Sequence, residues 1–394
     1  MRILLRELLS SGHEVHFFGL PGFSEAPSLT AFPQYRYSPL HIESLERGWG
    51  PLQRIPSEIP RAAYAQLAAL AYQRAAIQRI EAVSREQPFD LILCSDFLAL
   101  WPSRLPVVSW PQSAPQTEWA ALRSPDIARR VRQGAGRTRQ AALGAFYAFR
   151  WMQAQVAWRA SDLILCGSRW SESAWRSFGV PGARVRRLPY PLDLSAFGEV
   201  PARPKGSEIR YLWLGRAAPR KRFDLFLEAF ELVSRELHDA RAIVVGDLSP
   251  DPLASNALAT SPVRSNIEQR SAVPRAEMPA LFAKVDVLVQ PSENENFGFS
   301  VAEALASGRP VVVGPTNGTA DYADGARFGF DRYTPAAVAM AMTRAAAAVR
   351  ADAAAISDRA RAAARALEPD RITREFVALC EGLCHGATRR DGTR

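Results

Sequence analysis

The second half of the chain alternates short apolar runs with longer amphipathic stretches. Four runs made mostly of branched and aromatic residues predict buried strands, at 209–215, 240–246, 285–290 and 310–314. The stretches between them predict helices, at 223–237, 276–283 and 299–307. Strands that alternate with helices indicate a parallel sheet covered on both faces, and such sheets bind ligands beyond the carboxyl ends of their strands.

The first half follows the same pattern with longer insertions. Its predicted strands lie at 13–20, 89–94, 105–110 and 161–166. Alanine- and arginine-rich helical stretches lie at 62–85 and 127–159. We therefore predict an α/β protein with a first domain at 1–195, a proline-rich linker at 196–208, a second domain at 209–365, and a C-terminal helix and tail at 366–394 that packs back on the first domain.

The N-terminus departs from this pattern. A parallel sheet of this type opens with a strand, a glycine-rich turn and a helix, but here Arg2 to Ser11 predicts a helix that leads into the strand at 13–20. We expect the opening strand of the first domain to be missing, and Met1 to be an internal methionine of a longer natural chain. Without that strand, its neighbour would keep an unpaired apolar edge.

Length and composition fit this division. The chain has 394 residues, 47% of them hydrophobic, which exceeds the size at which a single core stops growing. No apolar stretch of about 18 residues predicts a membrane-spanning helix and no leader pattern predicts export, so a cytoplasmic protein is expected. The four cysteines predict reduced thiols and no metal site: Cys94 and Cys166 close apolar strands, and Cys380 and Cys384 share a helix face.

The net charge of +9 calls for an acidic partner, for which nucleic acid, anionic lipid and a diphosphate-bearing small molecule all qualify. No groove-reading or single-strand-binding motif favours nucleic acid. Residues Arg123 to Arg159 combine arginines with aromatic residues, which suits peripheral contact with an anionic membrane face, but a helix with one aromatic core stripe explains them equally. Only three lysines occur, Lys205, Lys221 and Lys284, so a lysine here is more informative than an arginine.

The densest chemical signal is PSENENFGFSVAEALASGRPVVVG, at 291–314. Its loop leads from a predicted strand into a helix, so backbone N–H groups and the positive end of the helix face the ligand side of the sheet. Glu295 in the loop and Glu303 in the helix can face one cleft, and two carboxylates suit a hydroxyl-rich ligand. Alternatively, Ser300-x-x-Glu303 is a capping box that needs no ligand, and Gly298 serves only the turn.

A second signal is WLGRAAPRKRFDLFLEAF, at 213–230. Gly215 ends a predicted strand, and Arg216 and the cluster Arg220-Lys221-Arg222 follow at the same edge of the sheet as the glutamate loop. Two cations there can neutralise a leaving diphosphate as its charge develops, without a metal ion. A solvated basic turn is the alternative for any one arginine, but Lys221 is one of only three lysines.

Together these blocks resemble the retaining glycosyltransferases of the GT-B fold, in particular glycosyltransferase family 4. The resemblance runs from Ser161 to Gly329 and includes SDLILC, LPYPLDLSAF, KRFDLFLEAF and the paired glutamates. It implies two Rossmann-like domains that face each other across a cleft. It also implies a nucleoside diphosphate sugar as donor substrate and no cofactor, and the lack of a D-x-D motif argues against a metal ion on the diphosphate.

The resemblance implies roles for particular residues. Arg216 and Lys221 match the pair that holds the donor diphosphate. Glu295 matches the glutamate that contacts the donor sugar near the reacting carbon, and Glu303 matches the one that binds the nucleotide ribose. The loop amides implied to hold sugar hydroxyls and phosphate are those of Asn296, Phe297, Gly298 and Phe299.

Three positions depart from the family pattern. Asn296 follows the first glutamate where glycine is common, Gly318-Thr319 replaces a Gly-Gly pair, and Trp110-Pro111-Gln112 stands where the first domain often carries a histidine. Gln112 can hydrogen-bond a sugar hydroxyl but cannot act as a base.

The predicted function is transfer of a hexose, with retention of configuration, to an acceptor that is a glycan, a lipid-linked molecule or a small molecule. The alternative is a non-catalytic or truncated relative that binds nucleotide sugar or serves as a partner subunit. The missing opening strand and Gln112 motivate this alternative, and donor binding is expected in both cases.

Overall fold

A computed structural model of the chain shows an α/β protein built on parallel sheets. The structure describes residues 1–19, 27–40, 58–95, 101–111, 151–155, 157–198, 200–201, 208–216, 218–249 and 251–391, together with isolated positions between 125 and 149. The predicted helical stretch at 127–159 therefore lies largely outside the described residues, as does Gln112.

The first half forms two parallel sheets. Strands β1 (Val15–Gly19) and β2 (Tyr35–Pro39) pair with each other. The second sheet has the order β3-β4-β5-β6 and consists of β3 (Ile92–Ser95), β4 (Val107–Trp110), β5 (Leu163–Cys166) and β6 (Val185–Arg187). The helices described in this half are α1 (Arg2–Ser10), α2 (Pro27–Thr30), α3 (Glu58–Val83) and α4 (Arg169–Ser177). No strand pairing joins the two sheets within the described part of the chain.

The second half forms one six-stranded parallel sheet. Its strands are β7 (Ile209–Leu214), β8 (Ala240–Val245), β9 (Ile267–Arg270), β10 (Val287–Gln290), β11 (Val311–Val313) and β12 (Arg327–Gly329). Their order across the sheet is β12-β11-β10-β7-β8-β9. The helices from here to the C-terminus are α5 (Ser195–Gly198), α6 (Phe223–Glu236), α7 (Pro252–Thr260), α8 (Met278–Phe282), α9 (Phe299–Ala306), α10 (Pro335–Ala351), α11 (Ala353–Ala364) and α12 (Pro369–Asp391).

The α/β prediction is confirmed, and the strands that it missed share one cause. Strands β10 and β11 are buried at every position, which produces the continuous apolar runs that the sequence displays. In contrast, β9 reads IEQR and β12 reads RFG, and both lie at edges of the sheet. An edge strand faces solvent on one side and carries charged residues, so it has no apolar run to detect.

Helix α6 is amphipathic, and its apolar face fixes the turn that precedes it. Phe226 and Phe230 are fully buried, and Phe230 lies 6.2 Å from the ring of Tyr211 on β7. Burying side chains of this size contributes about 1.5–3 kcal/mol each. Because the helix is locked onto the sheet, the residues between Gly215 and Phe223 are held at the carboxyl edge.

The C-terminal helix α12 packs against α1 of the first domain. The indole of Trp110, at the end of β4, stacks on Phe376 of α12 at 5.9 Å and on Tyr190 at 5.3 Å. The N–H of Leu192 also donates to the carbonyl of Leu367 at 2.9 Å. Residues from both ends of the chain therefore share one core.

Among the helices that the structure describes, none is both long and apolar enough to cross a membrane.

Candidate active site

The loop that carries Glu295 lies beyond the carboxyl end of β10 and is fixed through its backbone. The N–H of Glu295 donates to the carbonyl of Thr316 at 2.9 Å, and its carbonyl accepts from the N–H of Gly318 at 2.8 Å. Asn294, one residue earlier, has a φ of 57° and donates its N–H to Oγ1 of Thr316 at 3.0 Å. Loops that follow two adjacent strands thus hold each other at the ligand edge of the sheet.

The Glu295 carboxylate binds two cations from the neighbouring loop. Its Oε2 accepts from Nζ of Lys221 at 2.5 Å and from Nη1 of Arg220 at 2.8 Å. Only 12% of the Glu295 side chain is exposed. Burial by itself would raise the pKa of Glu295, but Lys221 and Arg220 outweigh it and hold the pKa below its usual value. The three side chains form a cluster with one surplus positive charge.

Lys221 is held by a short 3-10 turn, Pro219–Lys221, that follows the end of β7. Burial is the main factor that lowers the pKa of Lys221; Glu295 opposes this effect, while Arg220 and Arg216 add to it. Its ammonium group therefore sits where a further anion would be stabilised strongly, because few water molecules compete for it.

The structure adds an arginine that the sequence did not single out. Arg216 is exposed and, within the described residues, forms no ion pair, and its role on a donor diphosphate stays a prediction. Arg220 is the arginine in contact with Glu295, and its carbonyl also accepts from the N–H of Glu293 at 2.8 Å. Nothing in the sequence separated Arg220 from the other arginines of the basic cluster.

Glu303 lies in α9 and is not part of a capping box. The N-cap of α9 is Gly298, so Ser300 is inside the helix, where its hydroxyl donates to Oε1 of Gln290 at 3.2 Å. The capping interpretation is therefore wrong. The Glu303 side chain is 8% exposed, and its Oε1 lies 3.1 Å from Nη1 of Arg275. Burial raises the pKa of Glu303, and Arg275 opposes this.

The four residues that directly follow Glu295 lie in different environments. Asn296 and Phe297 are buried, Gly298 begins the helix, and the ring of Phe299 is 43% exposed. The ring of Phe297 lies 5.2 Å from that of Tyr190, which belongs to the first half of the chain. Its side chain therefore packs between the domains, and only the backbone of this loop can serve a ligand at that position.

Gly318 and Thr319 explain one departure from the family pattern. A Cβ at Gly318 would lie 1.9 Å from the carbonyl oxygen of Asn296, so only glycine fits there. Thr319 is fully buried, and its hydroxyl donates to the carbonyls of Phe297 and Gly298, the latter at 3.1 Å. The threonine thus fixes the glutamate loop through its side chain.

The same segment contacts the first domain. The Asp321 carboxylate accepts from the N–H of Arg169, the first residue of α4, at 2.6 Å and from its Nε at 3.1 Å. The hydroxyl of Tyr322 donates to the carbonyl of Gly167 at 3.1 Å. A carboxylate at a helix N-terminus is favourable because it complements the orphan N–H groups and the helix dipole.

We expect Gly298→Ala to lower the free energy of unfolding by about 2–4 kcal/mol. Gly298 has a φ of 77°, and an added Cβ would lie 3.0 Å from Oδ1 of Asn317. The matched control is Gly179→Ala, because Gly179 has a φ of 91° but open space around its Cβ position. Chemical denaturation measures both, and equal losses would show that crowding against Asn317 is unimportant.

Comparison with known proteins agrees with this architecture. Residues 1–196 match the family described as Glycosyltransferase Family 4, and residues 208–348 match the family described as Glycosyl transferases group 1. The structure is similar to that of a sucrose-phosphate synthase from Thermosynechococcus elongatus, with a TM-score of 0.69 and 17% identity; the match covers 98% of this chain and 92% of the synthase. It is also similar to WaaG, a glycosyltransferase involved in lipopolysaccharide biosynthesis, with a TM-score of 0.62 and 17% identity; this match covers 97% of this chain and 95% of WaaG.

Curated relatives match over shorter regions. An alpha-D-kanosaminyltransferase of Streptomyces kanamyceticus is 22% identical over 43% of this chain and 46% of its own length. A D-inositol 3-phosphate glycosyltransferase of Kineococcus radiotolerans is 32% identical over 39% of each chain. The chain thus spans less than half the length of the curated relatives it matches.

The parallel sheets of the two halves, together with the likeness to these solved structures, show the GT-B fold. The two family matches together span most of the chain. The chain belongs to glycosyltransferase family 4.

Proposed function

We propose that the protein transfers a hexose from a nucleoside diphosphate sugar to a hydroxyl group of an acceptor, with retention of configuration. The observation that carries the proposal is the contact of Lys221 and Arg220 with Glu295 at the carboxyl edge of the six-stranded sheet. The two cations can bind a diphosphate and the carboxylate can accept hydrogen bonds from sugar hydroxyls, so one group of contacts suits both parts of a sugar diphosphate.

In the proposed reaction, the bond between the sugar carbon and the diphosphate oxygen breaks, and the oxygen of the acceptor hydroxyl bonds to that carbon. Negative charge accumulates on the departing diphosphate, which takes the proton of the hydroxyl. Lys221 and Arg220 stabilise that charge, aided by Arg216 at the edge of the cluster. The loop amides at the start of α9 add partial positive charge. Because these groups are held by the turn and the helix, they need little reorganisation, and the cations take the part that a metal ion plays elsewhere.

Glu295 is proposed to accept hydrogen bonds from the donor sugar close to the reacting carbon. Its pKa is held low by Lys221 and Arg220 despite burial, so it is an anion at neutral pH and a good acceptor. Retention of configuration is proposed from membership of family 4. Gln112, which lies outside the described residues, is proposed to hydrogen-bond a sugar hydroxyl.

The nucleotide part of the donor is proposed to bind at Glu303. One structural neighbour, HepE of Anabaena, was solved in complex with UDP and glucose; it has a TM-score of 0.58 and 15% identity over 96% of this chain and 95% of its own. This supports a nucleoside diphosphate as ligand of the fold. The acceptor is proposed to be a glycan, a lipid-linked molecule or a small molecule, with peripheral membrane contact in the lipid-linked case.

A panel of nucleotide sugars tests the donor proposal through thermal stabilisation. A ligand at 100 times its dissociation constant adds about 2.7 kcal/mol to the free energy of unfolding. We expect at least one nucleoside diphosphate hexose to raise the unfolding temperature and to release its nucleoside diphosphate when an acceptor is supplied. Stabilisation without any release would favour a non-catalytic donor-binding protein, and no stabilisation by any member of the panel would overturn the proposal.

We expect Glu303→Gln to weaken nucleotide binding about tenfold or more, because a charged acceptor contributes more to a hydroxyl hydrogen bond than an amide. The pKa of Glu303 is raised by burial, so its ionisation lowers stability as pH rises through that pKa. The variant should therefore be more stable than the wild type at neutral pH. Calorimetric titration with UDP and thermal unfolding measure the two effects, and unchanged affinity would remove Glu303 from the site.

A further inference from the structure

Arg275 lies at the ligand edge of the six-stranded sheet, and no role has yet been given to it. It begins the 3-10 turn Arg275–Glu277, which lies between the end of β9 and the start of α8. Its Nη1 lies 3.1 Å from Oε1 of Glu303. The two partners differ sharply in exposure, since 63% of the arginine side chain but only 8% of the glutamate side chain is accessible.

Because of this difference in exposure, the contact affects the ionisation of Glu303 much more than that of Arg275. A carboxylate inside a helix packed on a sheet loses most of its hydration, and its charged form is disfavoured unless a cation compensates. Burial raises the pKa of Glu303, and Arg275 is the charged group that opposes the rise. An exposed guanidinium loses little on pairing, because it stays always charged and largely hydrated. Arg275 therefore acts on Glu303 far more than Glu303 acts on Arg275.

The arginines of α11, the helix packed against α9, are engaged elsewhere, and so is Asp321. Arg359 and Arg361 of α11 donate to backbone carbonyl oxygens. Asp321 is bound to the N-terminus of α4. Within the described residues, these groups leave Arg275 as the cation that compensates Glu303.

Among the described residues, Arg275 also acts on the carboxylate of Asp193. The pKa of Asp193 is lowered first by its hydrogen bond from Ser195, with smaller contributions from Arg6 and Arg275. Asp193 is thus fixed by its own turn and remains an anion at neutral pH. It does not titrate in the range where Glu303 would respond to the loss of Arg275.

We propose that Arg275 is a positioning residue for the donor nucleotide: it fixes the charge and orientation of the Glu303 carboxylate, so that this carboxylate accepts hydrogen bonds from the adjacent hydroxyls of a ribose. The inference rests on the proposed function, and it assigns a residue that the family resemblance did not. An ionised carboxylate offers only acceptor oxygens, which matches a diol that offers two O–H donors. A protonated carboxyl group would present a donor of its own to one of those hydroxyls.

The proposal is tested by the pH dependence of binding in Arg275→Ala, Arg275→Lys, Glu303→Gln and the double variant Arg275→Ala/Glu303→Gln. Affinities for UDP, GDP and ADP are measured by calorimetry, and the tightest binder is followed from about pH 5, just above the ordinary carboxyl pKa, to about pH 8.5. Arg350→Ala is the matched control, because Arg350 pairs with Asp239 at 2.6 Å just before β8, away from the ligand edge.

We expect Arg275→Ala to weaken binding about tenfold at the acidic end of this range and less than about threefold at its alkaline end. Removing the cation raises the pKa of Glu303 further, so the carboxylate is recovered only as pH rises. Titration of the diphosphate itself cancels in the ratio of variant to wild type. Arg275→Lys should restore most of the affinity, Arg350→Ala should bind as the wild type does, and Arg275→Ala should have little effect in the Glu303→Gln background.

A second readout uses no nucleotide. A raised pKa makes the free energy of unfolding fall as pH rises until the folded pKa is passed, so the decline should continue to higher pH in Arg275→Ala than in the wild type and be absent in Glu303→Gln. A constant affinity ratio at all pH values, or an equal effect of Arg275→Ala in both backgrounds, would overturn the inference while nucleotide binding by the wild type still supported the proposed function. Failure of the wild type to bind any of the three diphosphates would overturn both.

Discussion

Lys221→Ala is expected to lower kcat/KM about 10²–10³-fold, the loss typical of removing one preorganised electrostatic group from a transition state. The Lys221 ammonium lies 2.5 Å from Glu295, and 15% of its side chain is exposed, so it acts in a partly dehydrated environment. Its removal also deletes one of two cations on a buried carboxylate. We therefore expect a loss of about 1–3 kcal/mol of stability, with Arg220 retaining part of the pairing.

The control for this variant is Lys284→Ala, because Lys284 is an exposed lysine of the same domain and follows α8. Turnover and unfolding are measured on the same preparations. The assignment requires that activity fall at temperatures where the variant is fully folded, and that Lys284→Ala be close to wild type. If the activity lost simply follows the fraction unfolded, Lys221 is a structural residue.

Glu295→Gln is expected to separate binding from turnover. Glu295 neutralises Lys221 and Arg220, so a diphosphate must share those cations with the carboxylate. Replacing the carboxylate by an amide should leave affinity for a nucleoside diphosphate equal or increased. The kcat should still fall about 10²-fold or more, because the acceptor close to the reacting carbon loses its charge.

The pH dependence of stability provides a check that is independent of activity. The pKa of Glu295 is held below its ordinary value of 4.5, so its contribution to stability is present above that pH and lost as pH falls through the lowered pKa. Glu295→Gln should lack this acid-dependent loss. Glu268→Gln is the control, because the Glu268 carboxylate is 54% exposed and pairs with Arg270 on an edge strand. A weaker diphosphate affinity in Glu295→Gln would contradict the proposed competition for the cations.

Much of the second domain could be predicted from the sequence, because its central strands are buried on both faces. Strands β10 and β11 have no side that faces solvent, so their sequences are runs of apolar residues, interrupted only by the terminal Gln290 of β10. The positions of the loops that carry Glu295 and Lys221 could be predicted for the same reason, since residues directly after a parallel strand lie at the ligand edge of the sheet. The sequence alone therefore places Glu295 and Lys221 at the same edge of the sheet.

Other features could not be obtained in this way. Strands β2 and β6 read YRYSP and VRR, so they form through their neighbours and not through an apolar signal. The helix start at Gly298 overrode the Ser300–Glu303 capping pattern, because the φ of 77° at Gly298 sets where the helix begins. A local pattern describes what a segment can do, and the fixed ends of the loop decide which option is realised.

The sequence by itself determined the class of fold and the sheet edge at which Glu295, Glu303 and Lys221 lie, since these depend on burial and on strand direction. The tertiary structure alone decided which cations those carboxylates contact. Arg220 meets Glu295 across 75 residues of sequence, and Arg275 lies 3.1 Å from Glu303. Contacts of this kind depend on the tilt of a short turn and the reach of a long side chain in a chain with many arginines, and no local periodicity encodes either quantity.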